Sequence, residues 1–184
     1  LSGLLSLQLA PGGIISHVTD PARNRAVLGF NMLADPKQRL AAERSIRDKA
    51  LVLAGPIPLR QGGTGIVARL PIFLPGRTDR PDGFWGFATA VIELDSLVRE
   101  TGLGTLPQGV ALAVRGRDAL GAQGELFYGD PAVFAAPGAT RSLVLPVGSW
   151  QIAIRRTGAL PEQLVRWRVW LWPLGLLLAA LSAF

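Results

Sequence analysis

Four places in the sequence carry residues whose types and spacing bear on chemistry. Gln61-Gly62-Gly63-Thr64-Gly65 is rich in glycine, but it lacks the Gly-Lys-Ser/Thr ending of a phosphate loop and leads into a strand pattern, whereas a phosphate sits on a helix N-terminus. A hairpin turn using glycine's access to positive φ is the simpler reading. Glu93 and Asp95 are the close carboxylate pair beside an apolar strand end. At i and i+2 across a strand–helix junction, Asp95 reads as a helix cap rather than as half of an acid–base dyad. His17 is the one histidine, and there is no Cys. Thiol catalysis, Cys-based metal centres and paired-histidine sites are thereby excluded, and no Ser carries a nucleophile motif. The expectation is no catalytic residue, no metal and no cofactor. Arg69 is different: a guanidinium between Ala68 and Leu70 on an aliphatic strand is costly to bury unless a carboxylate or an anionic ligand pairs with it. The alternatives are a head in solvent or a bridge to Asp35 or Glu43.

The elements that must position these residues follow from turn chemistry and periodicity. Leu4–Leu9 and Ile14–Val18 flank Pro11-Gly12-Gly13 and read as a hairpin. Asp35-Pro36 starts a helix expected from about Pro36 to Lys49. Leu51–Leu53 and Ile57–Leu59 are apolar, and Ile66–Leu74 returns as a strand after the glycine turn. The polar run from Pro75 to Gly83, PGRTDRPDG, is the best internal boundary. After it, Phe84–Leu94 reads as a long strand, Asp95–Glu100 as a short helix, and Gly109–Val114, Gly124–Tyr128, Ser142–Val147 and Trp150–Ile154 as strands. The fold class expected is α+β: two PAS-like antiparallel-sheet lobes in tandem, residues 1–75 and 84–158, with Phe87 and Trp150 buried in the second and the lobes meeting at their strand ends. No residue-level repeat is present.

Composition bounds the rest. The chain has 184 residues, 49% of them apolar and 17% charged, enough for a packed core and too hydrophobic for disorder. Its net charge of +6 rests on 17 Arg and 2 Lys scattered along the sequence, with no basic stripe, which argues against nucleic acid. Val169 to Phe184 carries no charge and follows Trp167. At about 1.5 Å per residue this reaches roughly 24 Å of a ~30 Å hydrocarbon layer. Residues 164–184 are thus expected to be a truncated transmembrane helix with an aromatic belt, a buried helix of a soluble domain being the alternative. Arg155, Arg156, Arg166 and Arg168 ahead of it run against the positive-inside tendency if the lobes lie outside the cell. Leu1 in place of Met, and the lack of a positively charged leader, lead to the expectation of a piece of a longer protein that carries no targeting signal of its own.

The order and spacing of Gly29-Phe30-Asn31-Met32-Leu33, the helix with Arg39, Arg44 and Arg47, Gly55-Pro56-Ile57, Gln61–Gly65, Arg69–Phe73, Phe84-Trp85-Gly86 and Val91–Leu97 resemble the CHASE sensory domain over about Leu4 to Val98. The resemblance implies an extracytoplasmic input domain of a receptor histidine kinase or diguanylate cyclase. It also implies a membrane-distal ligand-binding lobe, a membrane-proximal lobe, a transmembrane helix and a homodimer in the full-length receptor. The long N-terminal helix it implies is not found here, and Asn31 stands where relatives often carry Asp, replacing an anionic acceptor with a neutral donor and acceptor. The expected ligand site is in the first lobe, lined by Asn31 and Leu33 before the helix and by Gln61, Thr64 and Arg69 from the glycine hairpin and its return strand. Residues 1–163 are expected outside a bacterial inner membrane, with a small-molecule ligand and no catalysis. A non-catalytic periplasmic interaction or scaffolding domain is the other reading.

Overall fold

The computed structural model describes residues 3–76 and 83–158, so the expected span at 164–184 lies outside the described residues. None of the described helices is long and apolar enough to cross a membrane. The chain forms two antiparallel sheets. The first contains β1 (Leu4–Pro11), β2 (His17–Val18), β3 (Val52–Pro58), β4 (Thr64–Phe73) and β5 (Phe84–Glu93) in the order β2-β1-β5-β4-β3. Helices α1 (Pro21–Asn24) and α2 (Arg39–Asp48) lie between β2 and β3, and α3 (Leu94–Glu100) follows β5. The second sheet contains β6 (Val110–Arg115), β7 (Leu126–Gly129), β8 (Ala139–Val144) and β9 (Ser149–Arg156) in the order β7-β6-β9-β8, with α4 (Ala132–Ala135) between β7 and β8.

One strand is not where the sequence places it. Phe84–Glu93 was assigned to the second lobe on the turn residues before it, yet β5 is the central strand of the first sheet, with Leu7 opposite Ala90 and Val67 opposite Val91. Pro75–Gly83 therefore joins neighbouring strands of one sheet. Phe87 is fully buried as expected, but in the first core with Phe84, Met32 and Val27. Trp150 is only half-buried, edge-on to Phe127 at 5.2 Å between ring centroids.

The helix boundary also shifts for a local reason. The Asp35 carboxylate accepts hydrogen bonds from the backbone N–H groups of Lys37 and Gln38, which makes a capped turn, and regular helix begins only at Arg39. At the other end Lys49 adopts the left-handed conformation at φ 49° and closes the helix. Ala42 and Ser45 face the sheet.

The sheets meet where β3 bulges. Register slips between Ala54 and Ile57, which frees the Gly55 N–H to donate to Asp118 Oδ1 at 2.6 Å. Asp118 lies in the turn after β6, held at φ 59°. Asp118→Ala should cost about 1.5–3 kcal/mol, since a charge-assisted bond goes and Ala tolerates this backbone less well. Asp118→Asn, which keeps an acceptor and the tolerance for positive φ, should recover most of it. Urea titrations of the two variants check this; equal losses would show that the bond contributes little.

Candidate functional site

Within an otherwise apolar buried face, the first sheet turns one row of polar residues inward and their apolar neighbours outward. On β1, Ser6 and Gln8 are buried while Leu7 and Leu9 are exposed; on β4, Arg69 is buried beside exposed Leu70; on β5, Thr89 is buried between half-exposed Ala88 and Ala90. Register aligns the three inward polar residues across neighbouring strands: Gln8 lies opposite Thr89, and Thr89 opposite Arg69. Cross-strand neighbours of this kind are about 5 Å apart, within reach of one small group.

Arg69 has 0% exposure. Its Nη2 donates to Gln38 Oε1 at 2.7 Å and its Nε to Met32 Sδ at 3.2 Å, while Nη1 has no partner. The guanidinium carbon lies 5.6 Å from the centroid of the Phe87 ring. Burial pushes its pKa down to about 10, which still leaves it charged at neutral pH. The solvent-facing alternative is thus overturned, and so is the bridge to Asp35 or Glu43: Arg39 pairs with Glu43 instead, at 3.7 Å. A neutral amide and a thioether offset a guanidinium poorly.

A cavity of about 30 Å³ adjoins this row, lined by Gln8, Thr89 and by both partners of Arg69, Gln38 and Met32. The β3–β4 hairpin covers it through Leu59, Arg60 and Gln61, and Ile15, Val27 and Phe30 close the other side. Two contacts hold the hairpin down. Gln61 Nε2 donates to Asn24 Oδ1 at 3.4 Å, and the Arg60 guanidinium stacks 4.2 Å from the Phe30 ring. Asn24 is itself fully buried, its amide donating to the carbonyls of Thr19 and Asp20.

Of the residues expected in the site, Gln61 lines this cavity, while Arg69 is not among its lining residues and reaches it only through Gln38 and Met32. Asn31 folds its Oδ1 back onto the N–H groups of Leu33 and Ala34, and with Arg60 it lines a separate polar depression of about 400 Å³. Leu33 packs into the first core, against Gly13, where any side chain would collide with it. Thr64 pairs with Pro58 at the start of the return strand. Gln8, Gln38 and Thr89 were not singled out. For Gln8 the signal lay in β1, where Ser6 and Gln8 alternate with Leu, and for Thr89 in a lone polar residue between two alanines on β5; Gln38, just ahead of α2, carried no such signal.

Elsewhere the chemistry is sparse. Glu93, not Asp95, occupies the cap position of α3; it accepts from Ser96 Oγ at 2.6 Å, and Ser96 Oγ accepts in turn from Arg99. His17 is exposed beside Ser16. Among the described residues no group of three His, Asp or Glu is placed to hold a metal. The outer sheet face forms a larger groove of about 580 Å³ along Leu7, Leu9, Leu51, Leu70, Ala88 and Ala90; it is almost wholly apolar, whereas the inner cavity gathers the polar groups that fix a ligand's orientation.

The CHASE domain profile matches residues 11–128. No curated protein sequence matches the chain. Among solved structures, an extracellular ligand-binding receptor from Desulfohalobium retbaense superposes with a TM-score of 0.58 at 18% identity, covering 83% of this chain and 30% of its own. The present chain thus spans under a third of that receptor. The ligand-binding domain of the Pseudomonas aeruginosa amino-acid chemoreceptor PctC, solved with GABA, gives 0.50 at 13% identity over 83% of this chain and 74% of its own. The sensor domain of the V. cholerae histidine kinase DctB gives 0.52 at 11% over 85% and 73%. At these identities the likeness is one of fold.

Proposed function

The chain belongs to the CHASE family, a family of non-catalytic sensory input domains, and on that premise we propose that it is the extracytoplasmic small-molecule sensor of a membrane-bound receptor of histidine kinase or diguanylate cyclase type. The first sheet is the membrane-distal, ligand-binding lobe and the second the membrane-proximal one. Residues 1–163 lie outside a bacterial inner membrane, residues 164–184 enter it, and the full-length receptor works as a homodimer.

The observation that carries this reading is the buried polar row of Gln8, Thr89 and Arg69 beside a cavity closed by a hairpin. Burying unpartnered polar groups costs stability unless something pairs with them, and a ligand is the partner a sensor would have. The extracellular receptor, chemoreceptor and kinase sensor that share the fold support the same reading.

The test is scanning fluorimetry of the chain against a panel of adenine-like, amino-acid and carboxylate compounds, since a ligand bound by the folded state raises the melting temperature by mass action. A compound that binds in the first lobe should bind at least tenfold more weakly to Leu59→Phe, which fills the cavity from its half-exposed rim. Unchanged affinity in that folded variant would place the site elsewhere, and a panel without any hit would favour a scaffolding role.

A further inference from the structure

We propose that the first-lobe cavity takes the neutral carboxamide head of its ligand, the ligand carbonyl accepting from the Gln38 amide and the Thr89 hydroxyl and the ligand N–H donating to the Gln61 carbonyl. The proposal rests on the first-lobe site and names the chemical class of its ligand.

Two glutamines offer a ligand opposite ends, and in each case a bond outside the cavity decides which. Gln38 lines the cavity, and its Oε1 accepts from Arg69 Nη2. A guanidinium can only donate, so the polar atom Gln38 has left is Nε2, a donor. The positive charge on Oε1 polarises the amide and strengthens that donor. Gln61 is fixed one bond further back. Asn24 Nδ2 donates to the carbonyls of Thr19 and Asp20 at 3.0 and 3.2 Å, which can only accept, so Asn24 turns Oδ1 toward Gln61 and accepts from its Nε2. Gln61, which also lines the cavity, is left with Oε1, an acceptor.

Two further lining residues adapt to this pair. Thr89 is 3% exposed, and its Oγ1 has no partner. A buried hydroxyl left without a bond is costly, and a ligand carbonyl supplies the acceptor it lacks. Gln8 Nε2 bonds to Ser6 Oγ, a hydroxyl that donates or accepts, so Gln8 can meet the ligand with either end.

Charge and size agree with a neutral head. Among the described residues no carboxylate lines the cavity, so a cationic head would go unpaired. The one charged lining residue, Arg60, lies exposed at the rim, stacked on Phe30. An anionic head offers only acceptors and would set an oxygen against the Gln61 carbonyl. At about 10–15 Å³ for each water-sized group, 30 Å³ admits two or three, close to the carbon, oxygen and nitrogen of a carboxamide. A longer tail would have to leave past Arg60 and Phe30, where the hairpin closes the cavity.

Melting temperature titrated at constant ionic strength, against a sodium chloride control, separates the possibilities. The probes are acetamide, sodium acetate, which has only acceptors, and methylammonium chloride, which has only donors. Acetamide at ten times its dissociation constant should raise the melting temperature by roughly 3–6 °C, and the two ions should bind at least tenfold more weakly. Gln38→Glu puts an acceptor where the donor was, at the same volume, and its carboxylate pairs with Arg69. That variant should melt no lower than the parent and yet bind acetamide about 10–100-fold more weakly; a purely structural Gln38 would not part the two readouts. Thr89→Val, which keeps shape and loses the hydroxyl, should weaken acetamide about 3–10-fold. Acetate or methylammonium binding as tightly as acetamide, and losing that binding in Leu59→Phe, would overturn the neutral class and leave the first-lobe site standing. No rise with acetamide, or a rise that survives in both Gln38→Glu and Leu59→Phe, would overturn the proposal.

Discussion

Arg69→Met should raise the melting temperature of the ligand-free chain by roughly 3–6 °C, the opposite sign to most core substitutions. The fall of its pKa to about 10 has burial as its cause and corresponds to roughly 3 kcal/mol of unfavourable charge burial. The direction of the linkage is clear. Below about pH 10 the guanidinium is protonated in both folded and unfolded chains, so the penalty is fully present at neutral pH. It is relieved only as pH rises past about 10, where the folded chain gives up a proton that the unfolded chain still binds. Met matches the volume and removes the charge, at the loss of the bond to Gln38 and the contact with the Phe87 ring. A net gain of about 1–2 kcal/mol remains. Calorimetry at pH 7 without added ligand checks it. A fall of similar size would mean that the guanidinium is already compensated in the free protein.

Phe87→Ala should have the largest effect on stability, a loss of about 3–5 kcal/mol and roughly 6–20 °C in melting temperature. Phe87 is fully buried in the middle of the first core, with the Phe84 ring 5.0 Å away in an edge-on contact. The side chains of that core hang from separate elements, among them Ala10 on β1, Phe84 on β5 and Ala42 on α2, and cannot collapse together into the space left. Phe87→Leu should lose much less, because most of the volume stays. If Phe87→Ala cost under about 1 kcal/mol, Phe87 would not be a core residue and the place of β5 in the first sheet would be wrong.

What could be read from the sequence follows the range of the interactions involved. The hairpins at Pro11–Gly13 and Gln61–Gly65 form where the turn residues put them, because turn type depends on neighbours in sequence. The sheet to which Phe84–Glu93 belongs depends on pairing with β1, encoded far away, and the polar loop before it looked like a lobe boundary for want of that information. Arg69 was legible as the odd residue on an aliphatic strand, and the alternation on β1 was visible too. Which face of each strand turned inward was not. The usual rule buries Leu7, Leu9 and Leu70, and here they are 48%, 41% and 46% exposed while Gln8, Thr89 and Arg69 go inside. Asn31 was placed in the site by resemblance, and its own side chain closes a local turn instead, an outcome decided by competition between near neighbours.

The place of β1 beside β5 also governs when the first lobe can exist during synthesis. Leu7 and Ala90 pair across 83 positions, whereas β3–β4 and β8–β9 close short hairpins. At about 5–20 residues per second, the first strand waits several seconds on the ribosome with β2 as its only partner and its leucines uncovered. Non-local strand pairing is slow to begin with. The first sheet therefore cannot close until β5 is available to β1, however stable the finished lobe is.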